Sequence, residues 1–179
     1  VLDSKVAELI AAGEVVERPL SVVKELTENS VDAGASHITV EIRDGGVSYI
    51  RVTDDGCGMS DEDARLCFLR HATSKIRVSD DLYAIRSLGF RGEALASIAA
   101  VSRMEVFTRQ AGADTGLRIY IEGGELLDMD KAGCAPGTTF VVRDLFYNTP
   151  ARMKFLKKNS AEAAAAGALL DRLALCWPH

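Results

Sequence analysis

Glu25 and Asn29 stand four residues apart in ELTENSVDAGA (residues 25–35), a spacing that sets a carboxylate and a carboxamide together on one helix face. Such a pair can divide two jobs. The amide oxygen is a hard, neutral ligand suited to Mg²⁺, which takes oxygen donors completed by waters and substrate phosphates. The carboxylate can accept a proton from a water attacking phosphorus. On its own, E-x-x-x-N is usually a solvent-facing helix pair. DDGCGM (54–59) adds an aspartate followed by Gly56, Gly58 and Met59. There Asp54 can accept a hydrogen bond from the exocyclic amine of adenine, a donor that guanine lacks at that position. Without other context the same residues make a polar turn, with Asp54 and Asp55 holding local amides.

Three further runs carry chemistry. HATSK (71–75) supplies two hydroxyls and an ammonium, so Thr73, Ser74 and Lys75 can meet phosphate, or simply form an exposed loop. LGFRGEALASI (88–98) brackets Phe90 and Arg91 with Gly89 and Gly92, and a helix-forming stretch follows. Glycine lets backbone approach a ligand, and the first amides of a helix lack internal acceptors, so the run can act as a lid over an anion. It is not a P-loop, because G-x-x-x-x-G-K-[ST] is absent from the chain. Finally, GTTFVVRDLFYNTPAR (137–152) places Thr138 and Thr139 at a strand start, where either hydroxyl can reach an adenine or its water, or merely fill a strand.

The elements that must hold these residues are legible in the pattern. A short helix is expected over 4–16, and a second from about Ser21, after Pro19, to Asp32. Val22, Val23, Leu26, Ser30 and Ala33 share its inner face, and Gly34 stops it. Ile38, Val40 and Ile42 alternate as in a half-buried strand; Gly45-Gly46 suits a hairpin turn, and 47–53 is the return strand that delivers Asp54 to its end. Ser60 with Asp63 starts a helix expected to run to about Arg70. Residues 103–109 and 116–122 form a second hairpin, 137–144 another strand, and Ala161–Cys176 a helix. Strands joined by hairpins and separated by helices predict an α+β fold. It is a two-layer sandwich, a mainly antiparallel mixed sheet with helices on one face.

Composition narrows the class. The 179 residues suit one domain, 1–179, with a sizeable core, and no apolar run approaches transmembrane length. With no basic-then-apolar leader, the chain reads as a cytoplasmic segment. Cys57, Cys67, Cys134 and Cys176 form no C-x-x-C and read as reduced, partly buried thiols rather than zinc ligands. A net charge of −5 argues against a domain that mainly coats nucleic acid. Arg152, Lys154, Lys157 and Lys158 cluster after Pro150, and such a basic face is usually just solvated.

Taken in order, ELTENSVDAGA, DDGCGM, LGFRGEALASI and GTTFVVRDLFYNTPAR resemble the four nucleotide-binding motifs of the GHKL ATPase superfamily. Within it, AAGEVVERPLSVVKEL (11–26), HATSK, GFRGEALASI and DLFYNTPAR are most similar to the MutL family of DNA mismatch repair. The resemblance runs from about Ser4 to Leu156. It implies a Bergerat-type ATP-binding lobe with slow, Mg²⁺-dependent ATP hydrolysis that drives a conformational and dimerisation switch. It implies Glu25 as general base, Asn29 as the Mg²⁺ ligand, and Asp54 as the reader of the adenine amine, with Gly56, Gly58 and Met59 shaping the pocket. Thr73, Ser74 and Lys75 would contact ATP. Leu88, Gly89, Phe90, Arg91, Gly92, Glu93, Ala94 and Leu95 would form the phosphate lid, and Thr139, or else Thr138, would lie near the adenine. Residues from about Thr73 to Gly92 are expected to be mobile without nucleotide. In the whole protein, the implied partners are a second copy, the mismatch-recognition protein MutS and DNA.

Some positions depart from the family pattern. Asp55 stands where asparagine is common, and Thr27 and Val31 replace positions that are often valine and leucine. The second lobe, with its phosphate-contacting lysine, and the C-terminal dimerisation domain lie outside this sequence. A gyrase B-like topoisomerase lobe would share the pocket, but GFRGEAL and FYNTPAR favour the mismatch-repair branch. A histidine kinase would need a phosphoacceptor domain. A non-enzymatic scaffold with a degenerate pocket fits poorly with Glu25, Asn29 and Asp54 all in place.

Overall fold

The computed structural model describes residues 12–68 and 94–177. Helix α1 spans Pro19–Asp32 and opens on Pro19, ahead of the expected Ser21, because proline's fixed φ and missing N–H suit a first helical position. Val22, Val23, Leu26 and Ser30 are buried along one face, as their spacing requires. Gly34, at φ +72°, then ends the helix. Its N–H reaches the Val31 carbonyl at 2.9 Å and the Ala35 N–H reaches that of Ser30 at 3.2 Å, the paired bonds of a left-handed cap. Residues 12–15 are helical; the remainder of the expected helix over 4–16 lies largely outside the described residues.

Strands β1 (Ile38–Arg43) and β2 (Tyr49–Asp54) pair antiparallel from Ile38↔Asp54 to Arg43↔Tyr49. Gly45 and Gly46 belong to a short 3₁₀ turn over Asp44–Gly46 rather than a two-residue hairpin, so β2 begins at Tyr49, later than expected. Ser60 caps α2 (Asp61–Leu66), its Oγ accepting from the Asp63 N–H at 3.1 Å. That helix ends at Leu66, short of Arg70, with Cys67 closing it through a bond to the Asp63 carbonyl. Helix α3 (Ala94–Ala100) precedes β3 (Arg103–Arg109) and β4 (Gly116–Glu122), which match the expected hairpin.

Strand β5 (Glu125–Ala132) was not anticipated. Its residues ELLDMDKA show no apolar–polar alternation, because the strand lies at the sheet edge with Leu126 and Leu127 exposed. Strand β6 (Gly137–Arg143) follows, then α4 (Pro150–Met153) and α5 (Asn159–Cys176).

The strand order is β1-β2-β6-β3-β4-β5, and every pairing is antiparallel, so among the described strands the sheet is not mixed. Registry aligns the inward residues in rows: Val52, Phe140, Val106 and Ile119 in one, Ile50, Val142, Met104 and Ile121 in the next. All are buried, and with Val22, Val23, Leu26 and Ile98 from the helices they belong to one core cluster among the described residues. The opposite face carries charge instead, including Arg51 with Glu41 and Arg118 with Glu105 and Asp128. One apolar face and one polar face is what an antiparallel sheet covered on one side requires.

No helix among the described residues is long and apolar enough to cross a membrane. All four cysteines are free; Cys57 and Cys176 are exposed rather than partly buried, whereas burial pushes the Cys67 thiol up to about 12.

Candidate functional site

Because β6 inserts between the two hairpins, three polar residues align at one end of the sheet. Asp54 ends β2, Thr138 lies opposite it near the start of β6, and Thr108 lies opposite Thr138 near the end of β3. This row continues the apolar rows of the helix-covered face, and Asp54 is only 6% exposed there. Its Oδ1 accepts the N–H groups of Gly56 at 3.0 Å and Thr138 at 3.2 Å, and its Oδ2 lies 2.9 Å from the Ser30 hydroxyl. Ser30 has one proton and a second acceptor, the Leu26 carbonyl at 3.1 Å; the charged carboxylate makes the stronger bond. A carboxylate offers about four lone-pair positions, so Oδ2 keeps one for an incoming amine. Burial raises the Asp54 pKa, and the bonds from Gly56, Ser30 and Thr138 offset only part of that rise.

The glycines of the turn are packing requirements. At Gly58, with φ +66°, a Cβ would run into the Arg109 carbonyl, and at Gly56 it would press on Ala33. Met59 is half-buried against the core, and its N–H donates to the Thr108 Oγ1 at 2.9 Å. The Thr108 and Thr138 hydroxyls are 3.0 Å apart. Thr139 was expected near the adenine, with Thr138 as the alternative. The structure puts the Thr139 side chain on the other face of the sheet, bonded to the Thr53 Oγ1 at 3.2 Å, and Thr138 beside Asp54. Strand alternation is the reason: neighbours in sequence point to opposite faces.

Glu25 and Asn29 lie half-buried on α1, and the residue after Asn29 is the Ser30 that bonds Asp54. Asn29 makes no side-chain hydrogen bond among the described residues, leaving its amide oxygen available. Lys24 bonds Glu28 at 2.8 Å and lies 3.5 Å from the Glu25 carboxylate. Burial works to lower the Lys24 pKa, but the Glu28 bond and both neighbouring carboxylates more than reverse this, so it stays charged beside Glu25. No group of three or more His, Cys, Asp or Glu able to hold a metal occurs among the described residues. The oxygen chemistry on α1 suits Mg²⁺, which needs few protein ligands when phosphates and waters supply the rest.

Asp55, the departure from the family asparagine, anchors the loop before β1. Its Oδ1 accepts the N–H groups of Ser36 at 2.7 Å and His37 at 2.8 Å, and its Oδ2 meets the His37 Nδ1 at 2.9 Å. These bonds, those from the His37 backbone and ring first, lower the Asp55 pKa to about 2. Ala94 and Leu95 open α3, with Leu95 packed against the core. Thr73, Ser74, Lys75, Leu88, Gly89, Phe90, Arg91, Gly92 and Glu93 lie outside the described residues.

Ser30, Thr108 and Gly137 were missed as site residues. Ser30 and Thr108 carried a signal, since each is a polar residue at an apolar position of its element's periodicity. Gly137, at φ +110°, approaches the Asp54 carbonyl where a Cβ would collide with it.

Comparison with known proteins is consistent with this geometry. Residues 17–124 match the family described as histidine kinase-, DNA gyrase B- and HSP90-like ATPase. The chain is 61% identical over its whole length to a DNA mismatch repair protein MutL from Pelotomaculum thermopropionicum, and 57% identical over 99% of its length to one from Caldanaerobacter subterraneus subsp. tengcongensis. It spans 30% of the length of each. Among solved structures, the Aquifex aeolicus MutL ATPase domain complexed with ADP superposes with a TM-score of 0.69 at 35% identity, over 90% of this chain and 56% of that one. The N-terminal domain of a DNA repair protein gives 0.76 at 27% identity, over 92% of this chain and 47% of that one.

Proposed function

The chain belongs to the family of histidine kinase-, DNA gyrase B- and HSP90-like ATPases, and from that premise we propose that it is the ATP-binding lobe of a MutL-type mismatch-repair protein. The observation that carries this reading is the buried Asp54 carboxylate, held by Ser30, Gly56 and Thr138 with one acceptor position left over. A buried, desolvated acceptor discriminates strongly, because a base without the matching donor leaves it unpaired. Adenine presents an amine there and guanine does not.

Asn29 would be this chain's ligand for Mg²⁺, which when bound would supply positive charge against the triphosphate. Glu25, on the same helix face, would accept a proton from the water whose oxygen attacks the γ-phosphorus. As that bond forms, the bond from the γ-phosphorus to the bridging oxygen breaks, releasing ADP and phosphate. Lys24 lies 3.5 Å from the Glu25 carboxylate, placing a positive charge beside the proposed base. We assign Thr73, Ser74, Lys75 and Leu88–Leu95 to the phosphates on the strength of the resemblance. By the same resemblance, closure of the 88–95 lid over the triphosphate would create a dimerisation surface for a second copy. Contacts with MutS and DNA, and a cytoplasmic setting, belong to the same reading of the whole protein.

Titration of the chain with ATP and GTP, with and without Mg²⁺, tests the reading. ATP should bind with Mg²⁺ dependence and GTP should not compete. Equal affinity for the two nucleotides, or no binding, would reject it.

A further inference from the structure

Arg152 was expected on a solvated basic face, yet it turns inward. Its Nη1 donates to the Val16 carbonyl at 2.9 Å, and its guanidinium stacks 6.0 Å from the Phe146 ring centroid. The guanidinium also fills the space that a Cβ would take at Gly13. Val16 is fully buried, and removing Arg152 takes from its carbonyl the donor that meets it. Residues 12–18 lead directly into α1, which carries Glu25 and Asn29, and a second tie lies alongside: Arg18 bonds the buried Glu162 at 2.9 Å.

The segment bearing Arg152 is anchored at its other end to α3. Asn148 Nδ2 donates to the Ala100 carbonyl at 2.8 Å and the Phe146 N–H to that of Val101 at 2.7 Å. Phe146 sits at φ +69° and is fully buried, a conformation that bulky residues adopt only when the surroundings impose it. Residues 144–152 therefore form a strap from the C-terminal end of α3 to the entry of α1.

We propose that Arg152 is a positioning residue for the ATPase site: through the Val16 carbonyl and the space at Gly13 it sets the entry of α1, and so the placement of Glu25 and Asn29. The proposal rests on the reading of Glu25 as the base. Small displacements of a general base cost rate far more than they cost nucleotide affinity, and this gives the role a signature.

The test uses the full-length protein. Arg152→Met keeps the aliphatic stem but cannot donate, whereas Arg152→Lys still can. The methionine variant should lose about tenfold in kcat, with KM for ATP changed by less than about threefold, and lysine should recover most of the loss. Gly13→Ala, which evicts the guanidinium, should copy the methionine variant, and the double variant should be no worse than either alone. Equal kcat for the lysine and methionine variants, or multiplying effects at 13 and 152, would overturn the proposal. Amide exchange at residues 12–16 needs no turnover and separates this failure from failure of the Glu25 reading. It should quicken in Arg152→Met, and unchanged exchange there would refute the positioning role whatever Glu25 does.

Discussion

The Ser30 hydroxyl lies 2.9 Å from Oδ2 of Asp54, so the helix that carries Glu25 and Asn29 is bonded directly to the buried carboxylate beside the Gly56–Gly58 turn. Ser30→Ala removes one of the bonds that hold the Asp54 pKa down, so that pKa should climb further. ATP affinity should fall by up to about tenfold, the worth of one hydrogen bond to a charged group. Its decline on acidification should begin at a higher pH. Calorimetric titrations across pH would show this, and an unmoved acid limb would count against the link.

The raised Asp54 pKa has a definite sign for stability. A carboxyl whose folded value lies above its unfolded one favours the native state at low pH and loses that contribution as pH rises through the folded value. Asp54→Asn should therefore fold at least as stably as the native chain at neutral pH. Its oxygen can keep the Gly56 and Thr138 amides, while Ser30 turns its proton to the Leu26 carbonyl and accepts from the new amide. Nucleotide binding should be lost nonetheless. Melting curves at pH 7 and at mildly acid pH, beside ATP titration, check both halves.

Thr138 and Thr139 separate by face. Thr138→Val deletes a hydroxyl beside Asp54 and Thr108, and ATP affinity should drop several-fold. Thr139→Val loses a bond to Thr53 on the far face and should stay within about twofold of native. The reverse ranking would place the base on the wrong side of the sheet.

Thr27 is 5% exposed, and its Oγ1 has no hydrogen-bond partner among the described residues. Thr27→Val keeps the shape and removes the orphaned hydroxyl, so stability should rise by about 1 kcal/mol, with Tm up by about 3 °C. A fall in Tm would mean that the hydroxyl has a partner in solution.

Much of this is legible in the sequence, and the reasons are local. The inner face of α1, the Gly34 stop and the 103–122 hairpin follow from periodicity and turn chemistry that tertiary contacts did not override. Glu25, Asn29 and Asp54 became readable only through the order of motifs along the chain, since each alone suits an ordinary surface. What escaped depends on pairing. The choice between Thr138 and Thr139 needs the Asp54↔Thr138 register, which no single strand encodes. Strand β5 is held by its neighbour β4 and shows no alternation of its own. Arg152 looked like one more solvated cation because its partner, the Val16 carbonyl, lies 136 residues away in sequence.

The role proposed for Glu25 is to take the proton from the attacking water. Glu25→Ala in the full-length protein measures it most directly, by nucleotide binding and phosphate release on the same preparation. Binding should persist, because the Asp54 pocket is untouched, and hydrolysis should fall to background. Native-like phosphate release from that variant would rule Glu25 out as the base.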